Sequence, residues 1–280
     1  MPALILSFLT LSFLWSVHAC AKAPQMQIVK FQSTSNLRTT FDGYFYEAKN
    51  AKGLIVYLHG GGCRSLQAQP IHLLKTFPLN EKLFERGYSV LIANYTEKIN
   101  STWLNSSGVD YTYPDLNNEE RCKLATEFHL QGIRDMMAQI PLLHQSRPIV
   151  LMGHSYGGYL VNYLASDTVQ VSNVAAFVSY AGIWDPFLRN QWSAEFHVSK
   201  ALSVVSHNPT NLRSIMVIHS ADDTAVSIDQ LTSFRQWVGK AHKPDQHVLE
   251  LQFGEHFSSD AKLNLQITRK IDRFVDSLSR

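Results

Sequence analysis

Three cysteines in 280 residues, none of them in a CxxC pair, and no HExxH leave the chain without a recognisable metal-binding frame. Any metal site would have to be assembled from scattered ligands, so neither a metal nor another cofactor is expected. An excess of charge of one sign is missing too. Lys and Arg total 25 against 23 Asp and Glu, and without a basic stripe or zinc-finger spacing nucleic acid is not the expected partner. The chain has no internal repeat, no long low-complexity linker and no abrupt change of composition, which excludes collagen-like, coiled-coil and largely disordered chains. What it does have is an ordinary globular balance, 45% hydrophobic and 17% charged, with 15 Phe, 11 Tyr and 5 Trp. A chain of this length can bury a substantial core without metal or disulfide staples.

Formal charge is also absent from the start of the chain, where no Lys, Arg, Asp or Glu precedes Lys22. From Ala3 to Val17 the sequence is ALILSFLTLSFLWSV, followed by small residues at Ala19 and Ala21. An apolar run of about 15 residues is short of the roughly 20 that span a bilayer as a helix, and the pattern reads as a secretory signal over residues 1–20. The expected mature chain is then 21–280, exported and either secreted, periplasmic or held at the cell envelope. Val17-His18-Ala19-Cys20 resembles a bacterial lipoprotein processing site, which implies membrane attachment through a lipidated Cys20; the other reading is cleavage beside an unmodified cysteine. An oxidising compartment would permit a disulfide between Cys63 and Cys122, and two separate buried thiols fit the sequence equally well. No feature of the sequence sets an oligomeric state.

Along the mature chain, Gln27 to Phe31 and Thr39 to Tyr46 carry the β-branched and aromatic residues of two early strands near a sheet edge, with Asp42-Gly43 marking a bend or bulge. GLIVYLHG at 53–60, YSVLIANY at 88–95, RPIVLMG at 147–153, VAAFVSY at 174–180 and SIMVIHS at 214–220 are nearly continuous apolar runs. Such runs suit strands covered by helices on both faces. HVLELQF at 247–253 is a further strand candidate. Helices are expected at 80–86, at 119–143 with Leu124, Phe128, Ile133, Met136, Met137, Ile140 and Leu143 on one face, directly after Ser155, at 230–238 and at 261–278. This alternation predicts one α/β domain with a mainly parallel sheet. Segment 181–209, with Trp184, Phe187, Trp192 and Phe196, reads as a short cap over a pocket at the carboxyl ends of the strands. The competing reading is a surface loop whose aromatics pack on the core.

Gly153-His154-Ser155-Tyr156-Gly157 matches GxSxG between a buried strand and a helix. In that setting the glycines allow a sharp, strained turn that lifts the serine hydroxyl above the sheet. His59-Gly60-Gly61-Gly62 ends an earlier strand, and His219 to Val226 reads HSADDTAV. Together these segments resemble the α/β-hydrolase family, most closely its esterases and lipases, over about residues 40–280. The resemblance implies that Ser155 is a nucleophile. It also implies an oxyanion hole built from backbone N–H groups of the Gly61, Gly62 and Cys63 region together with Tyr156, His59 organising that loop rather than abstracting a proton. HSADDTAV is similar to the family pattern HGxxDxxV with Ser220 in the glycine position, which puts the acid at Asp223, with Asp222 the alternative. The family places its base shortly before the last helix, which selects His256 over His219, His242 and His247, with Glu255 outside the relay. The implied reaction is hydrolysis of a small carboxylic ester through an acyl-enzyme, in a pocket walled by Trp184, Phe187, Trp192 and Phe196, with Tyr95 and Trp103 as weaker candidates. Two other readings stay open. SYGGY at 155–159 resembles the nucleophile region of prolyl-oligopeptidase-like serine peptidases, and an inactive relative would bind a ligand in the same pocket.

Overall fold

The structure is a computed structural model that describes residues 24–32, 40–61, 74–95, 118–140, 147–169, 171, 173–188, 202–240 and 246–278. The expected signal 1–20 with Cys20, the loop residues Gly62 and Cys63, and the aromatics Trp103, Trp192 and Phe196 lie outside them.

Eight strands form one sheet: β1 (Met26–Gln32), β2 (Thr40–Tyr46), β3 (Gly53–Leu58), β4 (Tyr88–Asn94), β5 (Ile149–His154), β6 (Val174–Tyr180), β7 (Ile215–Ser220) and β8 (Gln246–Leu251). Their spatial order is β1-β2-β4-β3-β5-β6-β7-β8. β1 and β2 run antiparallel at one edge, while β4 through β8 pair in parallel. The continuous apolar runs behave as their composition demands: β3, β4, β5 and β7 are buried at every residue. Successive side chains alternate between two cores, as the twofold period of a strand requires. Leu54, Val56 and Leu58 of β3 enter one core, and Ile55 and Tyr57 enter the other.

The helices are α1 (Pro78–Glu85), α2 (Asn118–Gln139), α3 (Tyr156–Ser166), α4 (Asp229–Gly239) and α5 (Ala261–Leu278). α2, α3 and α4 cover one face of the sheet, and α1 and α5 the other. α5 buries Ile267, Ile271, Phe274 and Val275 at helical spacing, each such side chain contributing roughly 2 kcal/mol through apolar burial. Asp272 of the same helix receives Lys52, Arg86 and the Tyr88 hydroxyl, tying α5 to α1 and to the starts of β3 and β4. Among the described residues no helix is long and apolar enough to cross a membrane.

Three local expectations are corrected. Gly43 marks neither a bend nor a bulge but sits in the regular register of β2, opposite Val29 and Ala93. A Cβ there would lie 2.7 Å from Leu91 Cδ1 and 2.8 Å from Phe31 Cε2, so any larger residue would have to displace these two buried side chains. On α2, Leu124 is exposed. The buried face instead runs through Thr126, His129, Leu130, Ile133, Met136, Met137 and Ile140, and Leu124 lies two residues, about 200° around the helix, from Thr126. Trp184 is fully buried and packs its ring on Phe234 at 4.4 Å and Trp237 at 5.8 Å. An indole with no accessible surface is core, so it does not wall a substrate pocket.

The sheet order places the reversal of strand sequence at β3 and β5. From β3 the chain steps outward to β4, then returns across β3 to β5 and proceeds the other way. Loops leaving the carboxyl ends of β3 and β5 therefore diverge and open a crevice, the usual ligand position in open α/β sheets.

Candidate active site

Ser155 sits at that reversal of strand order, between the last residue of β5 and the first of α3. Its backbone is at φ 56°, ψ −118°, a conformation that costs a non-glycine residue on the order of 1–3 kcal/mol and persists only where its surroundings impose it. Here the Ser155 N–H donates to the Tyr180 carbonyl of β6 at 2.9 Å, and its own carbonyl accepts from Tyr159 at 2.9 Å. The flanking glycines are wedged into backbone. A Cβ on Gly153 would fall 2.2 Å from the Gly157 carbonyl oxygen, and one on Gly157 would fall 2.2 Å from that of Leu58.

The loop after β3 comes directly against this turn, since a Cβ on Gly60 would meet Ser155 Cβ at 2.9 Å. Gly61 has φ 125°, the left-handed region that favours glycine. His59 holds the loop: its Nδ1 donates to the Gly60 carbonyl at 2.7 Å, and its ring stacks on Tyr95 at 4.6 Å. The Tyr95 hydroxyl donates to the His59 carbonyl. Tyr95 is thus a buried strut of the loop rather than a pocket wall. Burial pushes the His59 imidazole below its ordinary range, so it is neutral. Tyr156 opens α3, where the first-turn N–H groups have no acceptor within the helix and carry its positive dipole end. Its phenol is anchored from behind by Thr126 Oγ1 at 3.0 Å and His129 Nδ1 at 2.9 Å, both on α2.

Asp223 and His256 are brought together from the ends of β7 and β8. His256 Nδ1 lies 3.0 Å from Asp223 Oδ2 and 3.2 Å from Oδ1. Asp223 Oδ1 also accepts the Ala225 and Val226 N–H groups at 2.8 Å each. Burial raises the carboxyl, but the bond and charge of His256, the Val226 N–H and nearby His219 outweigh it and hold Asp223 below the usual range. An ionised carboxylate only accepts, so the proton between them belongs to His256 Nδ1, which leaves Nε2 of the neutral ring as the basic nitrogen. His219, fully buried, spends its Nε2 proton on the Val226 carbonyl at 2.8 Å and so braces the acid's turn.

His256 stands beside the Ser155 turn: its ring packs on His154, the residue before Ser155, with centroids 4.7 Å apart. His154 Nε2 donates to the His256 carbonyl at 2.7 Å. Burial first, then the neighbouring His256, hold His154 down to a pKa of about 3, so it serves as a neutral donor. Asp222, the alternative acid, is turned away from the imidazole and accepts the Glu255 and Gly254 N–H groups at 2.9 and 3.3 Å. The bracing residues His154, His129, Thr126 and Asp222 were not singled out for these tasks by sequence. His154, inside GxSxG, and Asp222, beside the expected acid in HSADDTAV, carried a positional signal; Thr126 and His129 carried none.

The expected cap is described only at its ends. Phe187 is exposed at 61%. At the near end the Trp184 and Asp185 N–H groups donate to Gln230 Oε1, and on the far side the Leu202 carbonyl accepts from Tyr159 and the His207 carbonyl from Trp237, so both described ends are seated on the domain. Among the described residues no group of three or more His, Cys, Asp or Glu side chains could hold a metal ion.

A family profile described as the alpha/beta hydrolase fold matches residues 53–197. No curated protein sequence matches the chain. Solved structures do. An acylaminoacyl peptidase of Pyrococcus horikoshii superposes with a TM-score of 0.63 at 17% identity, over 92% of this chain and 41% of the peptidase. The chain therefore spans about two fifths of that enzyme's length. An esterase of Pyrococcus furiosus superposes with a TM-score of 0.63 at 12% identity, over 92% of both chains. The esterase domain of a Rhodothermus marinus protein gives 0.59 at 16% identity, over 90% of this chain and all of the domain. At these identities the structural likeness speaks for the fold, and with the profile and the strand order it establishes that the chain belongs to the α/β-hydrolase family.

Proposed function

We propose that the chain is a serine hydrolase that cleaves small carboxylic esters through an acyl-enzyme. The observation that carries this reading is the hydrogen-bonded Asp223–His256 unit held against the residue preceding a strained, strand-to-helix serine. In the proposed cycle His256 Nε2 removes the Ser155 proton as Oγ attacks the carbonyl carbon, and Asp223 stabilises the imidazolium that forms. Backbone N–H groups of Tyr156 and of the loop at Gly61 receive the developing oxyanion, with the α3 dipole adding to them. The imidazolium returns its proton to the departing alkoxide. Water, deprotonated by the same histidine, then releases the acid and restores Ser155.

Esters are favoured over peptides because two of the esterase likenesses extend over nearly the whole of both partners, whereas the peptidase likeness is confined to a part of that enzyme. The test is a matched panel of esters and peptide amides, with Ser155→Ala alongside. The expected result is ester turnover with little amide cleavage, and a loss of roughly 10⁴-fold or more in kcat/KM in the variant. Undiminished activity in Ser155→Ala would overturn the nucleophile assignment. Preferential amide cleavage would move the substrate class to peptides, and a folded chain inert to both would leave only the ligand-binding reading.

A further inference from the structure

A second carboxylate stands beside the candidate acid and does something different with its oxygens. Asp222 Oδ1 and Oδ2 accept the N–H groups of Glu255 and Gly254, at 2.9 and 3.3 Å. These are the two residues that lead into His256, and their backbone is the least natural in the loop: φ is 150° at Gly254 and 50° at Glu255. Glu255 has a Cβ, so the left-handed conformation is unfavourable for it and must be imposed by its surroundings. Two successive N–H groups converging on one anion supply such a hold. On the other side of His256, its carbonyl is fixed by His154 Nε2 at 2.7 Å. The peptide units flanking the imidazole are therefore gripped from the ends of β7 and β5 by groups that do not touch the reacting atoms.

We infer that Asp222 is a positioning residue, whose carboxylate locks the Gly254–Glu255 backbone so that His256 meets Asp223 through Nδ1 and turns Nε2 toward Ser155. This rests on the serine-hydrolase reading above. Asp222 and Asp223 are adjacent, so a single turn sets both the loop that carries the ring and the ring itself. That turn is stiffened by the Ala225 and Val226 bonds to Asp223 and by His219. Asp222 is exposed, and solvent screens its charge; its hold is accordingly the geometry of two hydrogen bonds rather than its field.

Asp222→Ala and Asp222→Asn separate these effects, because asparagine keeps an oxygen for the Glu255 N–H and loses the charge. In Asp222→Ala, kcat is expected to fall about 10-fold with KM within about twofold, as a modest misplacement of a base does. Asp222→Asn should recover most of that loss. Equal effects in both variants would make Asp222 a mere charge and overturn the proposal, as would unchanged kcat in Asp222→Ala. Should alanine unfold the chain, Asp222→Leu, which likewise offers neither amide an acceptor, takes its place with the same expectations.

A readout independent of turnover is the low-field proton resonance of the His256 Nδ1–H in the full chain. It should broaden or vanish in Asp222→Ala and persist in Asp222→Asn; persistence in both sinks the positioning role whether or not esters are cleaved. Failure of the serine-hydrolase reading looks different. The wild-type chain would then neither turn over esters nor label at Ser155 with a fluorophosphonate, while the resonance would still respond to Asp222→Ala.

Discussion

A methyl group on Gly157 would lie 2.2 Å from the carbonyl oxygen of Leu58 and 2.7 Å from that of His59. Neither oxygen belongs to a flexible side chain, so relief requires moving either the end of β3 or the first turn of α3. Gly157→Ala is therefore expected to destabilise the fold by about 3 kcal/mol, a fall in melting temperature on the order of 10 °C for a domain of this size. It should also weaken activity in the molecules that remain folded, because both candidate oxyanion arms move. Gly239→Ala in the same melt is the control: nothing lies within 4 Å of that Cβ, and the alanine should be neutral or slightly stabilising. A melt in which the two substitutions behave alike would show that the elbow tolerates the methyl. These glycines were legible in the sequence because close approach of two backbones admits only one residue type. His154 between them was not, since many side chains fit that position and only the distance to His256 shows what this one does.

α2 shows why an element can be placed by sequence while its function is missed. Its apolar spacing located the helix and most of its buried face, but that face also carries Thr126 and His129, two polar residues that hydrophobic periodicity passes over. Both bond the Tyr156 phenol, so the helix sets the side chain of the residue whose N–H faces the candidate oxyanion. His129 Nε2 is already buried without a partner. Tyr156→Phe would remove the one bond of its Nδ1 and leave Thr126 short as well, at a cost of about 1–3 kcal/mol for buried groups left unsatisfied. His129→Leu should be far milder in the Tyr156→Phe background than alone, and a double-mutant cycle in urea should give a coupling of roughly 1–2 kcal/mol. Additive losses would mean that the two side chains do not act together. The same limit explains the other differences. Periodicity put Leu124 on the wrong face because Thr126 and His129 hold the helix by polar contacts, and aromatic content made Trp184 a pocket candidate although α4 encloses it.

At the scale of the molecule, the sheet assembles segments far apart in the chain, 59–61, 154–156, 222–223 and 254–256, at one end of β3, β5, β7 and β8. Their order and types could be read along the sequence; their distances depend on strand order, which no local pattern encodes. The same assembly buries several histidines. His59, His129, His154 and His219 are all held below their ordinary range, burial being the first cause in each, with His129 and His154 at about 3. In the unfolded chain each takes a proton near pH 6.5, so below that pH the unfolded state binds more protons and stability falls as pH falls. The stabilisation is complete above about pH 6.5 and is lost progressively toward pH 3. His129 and His154 alone account for about 2 kcal/mol each between pH 7 and 5. Asp223 and Asp272, both held low, add losses of the same sign only below about pH 4. Calorimetry should therefore show the melting temperature dropping by roughly 10 °C from pH 7 to 5, well before the carboxylates titrate. His129→Gln and His154→Gln, which keep polar groups but do not titrate, should each flatten that drop by a substantial fraction whatever they cost at pH 7. A melting temperature that holds level down to pH 4 would mean that these imidazoles find solvent or a partner when protonated, and that acid acts on the fold through its carboxylates alone.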